Sequence, residues 1–552
     1  MRGRIAAVAV AAGLSLAVGI TAVRAPAGAS VLGPRSGSAG PAIVVGTGHA
    51  VAHSVIVSRA MWRDRTVAPV TVPGPLARDG GVAGAALPAR ASSGTRTRPA
   101  GWSAAGPRLG RPAGEAASSR PLPGMAAGMS SSPDPGNFAG ISEGASDCPG
   151  CQTPDVSATL NSTEVAETAN LRLQVYSKST AATLCTVSLS SLLGAATGLS
   201  RPRIQYDNAS HRFSLVVDSV PSSSSDVPVQ YLATSQTDDA CGAWWVYSLS
   251  FPVSSLYPLG ATLDYPYLGQ DSTSILSSTN NFGFSGSYLG SAAYAIPKAA
   301  AYTGAGFSFT TYAVAFSTAP VTVAGIPAFS TTTTYWLAAV PGTGYDLYAM
   351  PTSPAGPITL QAVIKSPFSA PARRVNQPGS SHTLDPLDGR IESAPVQDGS
   401  NVWFAHGVDD DGFPTIRYGA INVQTDRAST ALAFHSDGSD DFNPSIGVSD
   451  VGGSSYIWVN WAYTISSAGV PVSDTVAGVA PGQGVPELVG NDLTLVTGAS
   501  SDSISSFGGY SSAAVDPVAE GSCPAGLTAL TVQEYFTPSG TWTTRLARTT
   551  FC

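Results

Sequence analysis

The chain has 552 residues, 43% of them hydrophobic and only 12% charged, with 59 Gly, 42 Pro, six Cys and a formal charge of −8. An acidic chain of this kind is a poor partner for nucleic acid, whose phosphates call for a basic face. Beyond the first two dozen residues no uninterrupted apolar run reaches the length of a membrane span, so no transmembrane segment is expected in the mature protein.

Met1-Arg2-Gly3-Arg4 is a positive start, Ile5 to Val23 an apolar run, and Ala27-Gly28-Ala29 a small-residue cleavage site. That order predicts a secretory signal over residues 1–29 and an extracellular location. A single membrane anchor is the rival, but the run is built of Ala and Gly, and a cleavage site follows it. From 30 to about 150 Ala, Gly, Pro, Ser and Arg dominate without period. A disordered linker is predicted, because such a stretch buries too little apolar surface to offset its ordering entropy. Between Ser30 and Asp147 there are eleven Arg, no Lys and six acids, which leaves −16 on the remainder from Cys148. The basic stretch is a solvated linker or a contact for the acidic body, an anionic wall polymer or a membrane surface.

Six cysteines in an exported chain predict disulfides. Cys523 with Cys552 would tie the last strand to its neighbour, and Cys185 with Cys241 would join adjacent units. Cys148 with Cys151 would close a tight CPGC loop. A zinc site would need a second close pair of Cys or His, and a redox site a βαβ setting; neither is present.

From about 151 onward the pattern is β. Short strands rich in Val, Thr, Tyr and Phe are separated by Gly, Pro, Asn and Asp. A unit recurs roughly every sixty residues: a first strand ending on Asp, then a strongly apolar strand, then a third. The Asp endings are RIQYD at Asp207, YLGQD at Asp271, PVQD at Asp398, SIGVSD at Asp450 and SAAVD at Asp516. The apolar strands that follow include RFSLVVD, NVWFAHG and SYIWVNW. An imperfect all-β repeat of this size predicts a β-propeller over 151–552, with seven blades or six. Two packed β-sandwiches are the rival, with a boundary at Pro371 to His382.

Five motifs carry a resemblance: PRIQYDNASHRFSLVVD from Pro202, DYPYLGQD from Asp264, AAYAIPKAAAYTG from Ala292, LDPLDGRIESAPVQDGSNVWFAH from Leu384 and GGYSSAAVDP from Gly508. Residues 158–552 resemble secreted bacterial β-propeller proteins of sialidase-like (BNR-type) fold. The resemblance implies the fold and says little of activity. Where such proteins tend to carry an Arg and an Asp beside the Gly-x-Tyr-Ser segment, this chain has Phe507 and Gly509.

A sialidase holds its substrate carboxylate with three arginines and uses a Tyr nucleophile with acidic partners. Only Arg203 and Arg390 lie near first-strand starts, and no S-x-D-x-G-x-x-W box is present. The candidate catalytic residues are therefore Asp264, Asp388, Arg390, Glu392 and Tyr510, as a diverged glycoside hydrolase. The competing reading is that they form loop and inter-blade bonds in a non-catalytic protein that binds a glycan or a secreted partner. Trp244, Tyr265, Tyr267 and Trp403 are candidate stacking platforms for sugar rings. Asp437, Ser439 and Asp441 place oxygens at alternate positions, the spacing that favours a structural Ca²⁺. No cofactor is required by either reading, and a monomer is expected.

Overall fold

The computed structural model describes residues 43–57, 129–131, 136–148, 154–194, 198–323, 332–352, 355–502 and 507–552. The expected signal, much of the expected linker, and Cys151 with its expected link to Cys148 lie outside them. Among the described residues regular structure is almost entirely strand, with short helical turns such as Leu189–Leu193 and Lys298–Ala301.

The hairpin at Asp409 to Gly412 illustrates how the sequence makes a blade. Strands Asn401–Asp410 and Phe413–Asn422 pair from Asn401↔Asn422 to Asp410↔Phe413. The two residues between them, Asp411 and Gly412, take φ of +52 and +88. An Asp-Gly pair with both φ positive is the two-residue turn whose twist matches that of the strands it joins. The third strand, Arg427–Phe434, continues the meander.

Seven such antiparallel units follow one another: 156–188, 199–250, 262–314, 319–365, 396–434, 440–496 and 512–550. They are called blades 1 to 7 below. The innermost strand of each blade packs against those of its neighbours, and Ser512–Val515 of blade 7 lies against Val156–Leu160 of blade 1, so the ring is closed. The fold is a β-propeller, as expected, with seven blades. The stretch 371–382 is a connection between blades 4 and 5, not a boundary between sandwiches; its strand Val375–Asn376 pairs with Thr383–Leu384.

Parts of the region read as linker are strands: Val44–Ala50, Ala52–Ile56, Ser130–Ser131 and Asn137–Ser142. Asn137–Ser142 pairs with Trp542–Thr550 and supplies the outermost strand of blade 7, so that both ends of the propeller share one sheet. Val44–Ala50 and Ala52–Ile56 pair with the outer strands of blades 3 and 2. Val44–Ala50 is held by its backbone ladder and the small residues Gly46, Gly48 and Ala50, so it lacks the apolar alternation that marks a strand in sequence, whereas Asn137–Ser142 also packs Phe138 and Ile141 into apolar clusters.

The recurring Asp has a physical role. At four of these five hairpins one carboxylate oxygen accepts amides of the turn: Asp207 from Ala209 and Ser210, Asp271 from Thr273 and Ser274, Asp450 from Gly453, Asp516 from Val518. In four blades the carboxylate also reaches the next blade. Asp207 meets Lys298 at 2.6 Å, Asp271 meets Thr334, Asp398 meets Ser455, and Asp516 meets Lys178 at 2.5 Å. In blade 1 Asn161 takes the position, accepting from Thr163 and Glu164 and donating to Asp238 of blade 2. In Asp207, Asp271 and Asp516 turn cap and inter-blade latch are one side chain.

Two disulfides form as expected: Cys185–Cys241, joining blade 1 to blade 2 across 56 positions, and Cys523–Cys552, across 29 within blade 7. The apolar cores lie between blades. One gathers Trp403, Tyr418 and Ile416 of blade 5 with Val459, Trp461 and Tyr463 of blade 6.

Candidate functional site

All seven inner strands enter the ring from the same axial face, and the expected catalytic residues gather there. Leu199–Asp207 brings Arg201 and Arg203, Thr262–Gln270 brings Asp264, Tyr265 and Tyr267, and the residues before Ser512–Val515 bring Tyr510. The segment leading into blade 5 brings Asp388, Arg390 and Glu392, anchored where Ile391 bridges His406.

Three of these entries share a local device. Arg201, Tyr265 and Asn443 each precede a proline, each has φ near +55 (+55, +55 and +54), and each sits at a break in strand register. The bulge turns successive side chains toward the axial face. Positive φ in non-glycine residues costs on the order of 1–3 kcal/mol each and persists where packing enforces it, commonly at functional sites.

The side chains form one connected network. The Arg203 guanidinium lies 3.5 Å from the centre of the Tyr510 ring and donates to the Glu392 backbone carbonyl at 2.7 Å. Tyr265 packs on Tyr510 with ring centres 4.5 Å apart and donates to Gly509 O at 2.6 Å. Tyr267 donates to Ile391 O at 2.6 Å. Arg390 stacks over Tyr265 at 4.5 Å and over Phe316 at 4.9 Å, while its fork grips Asp388 at 2.8 and 2.7 Å. Arg201 pairs with Asp264 at 2.9 Å. Sequence reading missed Arg201 as the third arginine and Phe316; the clue was the repeated x-Pro at strand entries, RPR, YPY and NPS.

The acids differ in state. Burial alone would raise Asp388, but the Arg390 fork outweighs it and holds the carboxyl below its ordinary range. Glu392 is completely buried, and no side chain donates to either of its oxygens among the described residues. Burial, opposed by Arg390 and helped by the charge of Asp388, raises its pKa well above the ordinary carboxylate value. Tyr510 is also sealed from solvent and its pKa is raised by burial. What solvent reaches is the Asp388 side chain, 31% exposed, the Arg201 side chain, 20% exposed, and the half-buried Phe316. Below this floor runs an axial channel of about 200 Å³, lined by residues of all seven blades from Arg203 and Tyr267 to Asp207, Asp271 and Lys298.

The expected stacking platforms do not face solvent. Trp244 is fully buried with its indole N–H on Ala240 O, Tyr265 and Tyr267 lie inside the network above, and Trp403 packs between blades 5 and 6. Large aromatics fill the widening wedge between blades, where they bury the most area. In the loop expected to hold Ca²⁺, protein donors reach Asp441. Asp441 accepts from His435 N, Trp461 Nε1 and the Ser439 hydroxyl, so both its oxygens are turned inward, while Asp437 is exposed. Glu164, Asp239 and Cys241 also lie together, but Cys241 is in a disulfide and both carboxylates accept loop amides.

No family model matches the chain, and no curated protein matches it. Solved structures with a similar course include a Penicillium chrysogenum α-L-arabinanase complexed with arabinobiose, 11% identical over 77% of this chain and 99% of that one, TM-score 0.37. An endo-arabinase from Bacteroides thetaiotaomicron is 13% identical over 61% and 97%, TM-score 0.28. A Trypanosoma rangeli sialidase in complex with 2,3-difluorosialic acid is 8% identical over 63% and 54%, TM-score 0.31. Likeness at this level assigns no activity to this chain.

Proposed function

We propose that this chain is an exported β-propeller binding protein that holds a hydroxyl-rich ligand, a glycan, against the face where the inner strands enter. The observation that carries this reading is the state of the three expected catalytic carboxylates. Asp264 and Asp388 are each held by an arginine, and Glu392 is sealed from solvent. A hydrolase needs two carboxylates open to one substrate bond. The solvent-reachable floor suits binding instead. Exposed edges of a carboxylate (Asp388) and a guanidinium (Arg201) match the donor and acceptor roles of sugar hydroxyls, and the Phe316 ring offers an apolar surface to their C–H face. The two disulfides suit an oxidising location outside the cytoplasm.

A second reading, a diverged glycoside hydrolase, has one observation in its favour. Asp388 and Glu392 have pKa values pushed in opposite directions, Asp388 down by the Arg390 fork and Glu392 up by burial, the division of labour of an acid and its partner. It requires the face to open and expose Glu392. Glycan-array binding with Asp388→Asn and Phe316→Ala, run beside release assays on aryl glycosides with Glu392→Gln, separates the two.

A further inference from the structure

The rim of blades 2 and 3 carries a strand that belongs to neither. Their outer strands, Ala243–Ser250 and Phe307–Val314, do not pair with each other; residues 43–57 lie between them. Val44 to Ala50 pairs with blade 3, Ala52 to Ile56 with blade 2, and the segment is pinned at its ends by Ala313 N to Ile43 O at 2.9 Å and Val57 N to Gly242 O at 3.0 Å. Its inward face is Gly46, Gly48 and Ala50. A Cβ at Gly46 would collide with the Pro252 ring, and one at Gly48 with the Phe309 ring, so the slot accepts Gly-x-Gly-x-Ala and refuses bulk.

We propose that this slot is a strand-acceptor site and that residues 43–57 are a donor strand exchanged between two copies of the chain. Recognition is by backbone ladder and small-residue fit, and neither depends on which chain supplies the strand. The donor is separated from the next described residue, Met129, by 71 residues. A connection of that length has a maximal reach of about 240 Å, so a neighbour's slot lies within reach as well as its own. The outward side chains point the same way. Ile43, Val44, Val51 and Ile56 are 64, 58, 78 and 68% exposed, and Val253, next to the Pro252 that Gly46 touches, is 64% exposed. Apolar side chains gathered on a rim mark a contact surface, and two molecules joined by exchanged strands bring these rows together.

The test uses the exposed pair His49 and Ser308, whose ring nitrogen and hydroxyl are 2.9 Å apart. Full-length His49→Cys and Ser308→Cys chains with different tags are mixed, concentrated and treated with a short bismaleimide. Exchange predicts a cross-linked heterodimer carrying both tags, lost when Gly48→Val is added to the donor chain. The double variant in one chain links internally and checks the register without reference to exchange. The proposal is overturned if the double variant links within one chain while the mixture yields no heterodimer at any concentration, or if Gly48→Val leaves the heterodimer unchanged in a chain that keeps its thermal transition. Light scattering on the unmodified chain supplies a readout free of any variant: a concentration-dependent dimer supports exchange, and a monomer throughout contradicts it.

Discussion

The Lys178 ammonium of blade 1 lies 2.5 Å from the Asp516 carboxylate of blade 7, with side chains 7% and 0% exposed. The pair closes the ring at the seam between the first and last blades. Burial lowers the pKa of Lys178 and raises that of Asp516 in spite of their mutual attraction, so desolvation outweighs the gain. Removing one partner leaves a buried, uncompensated charge. Lys178→Met is expected to cost about 3–5 kcal/mol in chemical denaturation, whereas Lys178→Met with Asp516→Leu costs less than that single change. Recovery is incomplete because Asp516 also caps the Val518 amide.

The disulfides make a second prediction. Cys185–Cys241 closes a loop of 56 positions and Cys523–Cys552 one of 29. The chain-entropy model gives about 4 kcal/mol for the first and about 3.5 kcal/mol for the second. Paired Cys→Ser variants should therefore fall in stability by similar amounts. A large loss at one pair alone would show that more than loop closure is at work.

Stability should decline as the solution turns from mildly acidic to alkaline. Burial pushes Asp218 and Asp441 up to about 7 and Asp474 up to about 8. The folded chain therefore keeps protons that the unfolded chain releases near 4, and stability is lost as pH rises through those values. His435 acts in the same direction. Burial would lower it, but its 2.7 Å contact with Asp492 and the charge of Asp441 raise it, so its contribution is lost above its ordinary value of 6.5. On the acid side, Asp207 and Asp388 are held low by Lys298 and Arg390 against the effect of burial, and their contribution disappears as pH falls below the ordinary carboxylate range. Thermal melts should show a maximum near pH 4 to 5 and a decline to about pH 8 that Asp474→Asn flattens. A melting temperature that rises over that interval would refute the assignment.

The propeller was legible because its hairpins repeat a physical requirement. Asp207, Asp271, Asp450 and Asp516 recur because they satisfy turn amides at the same place, and Asp207, Asp271, Asp398 and Asp516 also hold the next blade. The convergence of Asp264, Asp388, Arg390, Glu392 and Tyr510 was legible too, as positions at strand entries. Their burial was not, because exposure depends on how the loops close over the face. Trp244 and Trp403 misled for a related reason: an aromatic that fills the wedge between blades has the same composition signal as one that faces a ligand. Val44–Ala50 and Asn137–Ser142 were hidden in an Ala-, Gly- and Ser-rich stretch, where few apolar residues mark the strands and backbone pairing does most of the holding.

The central claim is tested most directly by incubating the full-length chain with a panel of immobilised and soluble oligosaccharides, measuring retained ligand and released reducing ends together. Retention of at least one glycan is expected, weakened by Phe316→Ala and Asp388→Asn, with no release. Release of sugar that Glu392→Gln abolishes, or failure of every glycan to bind, would contradict it.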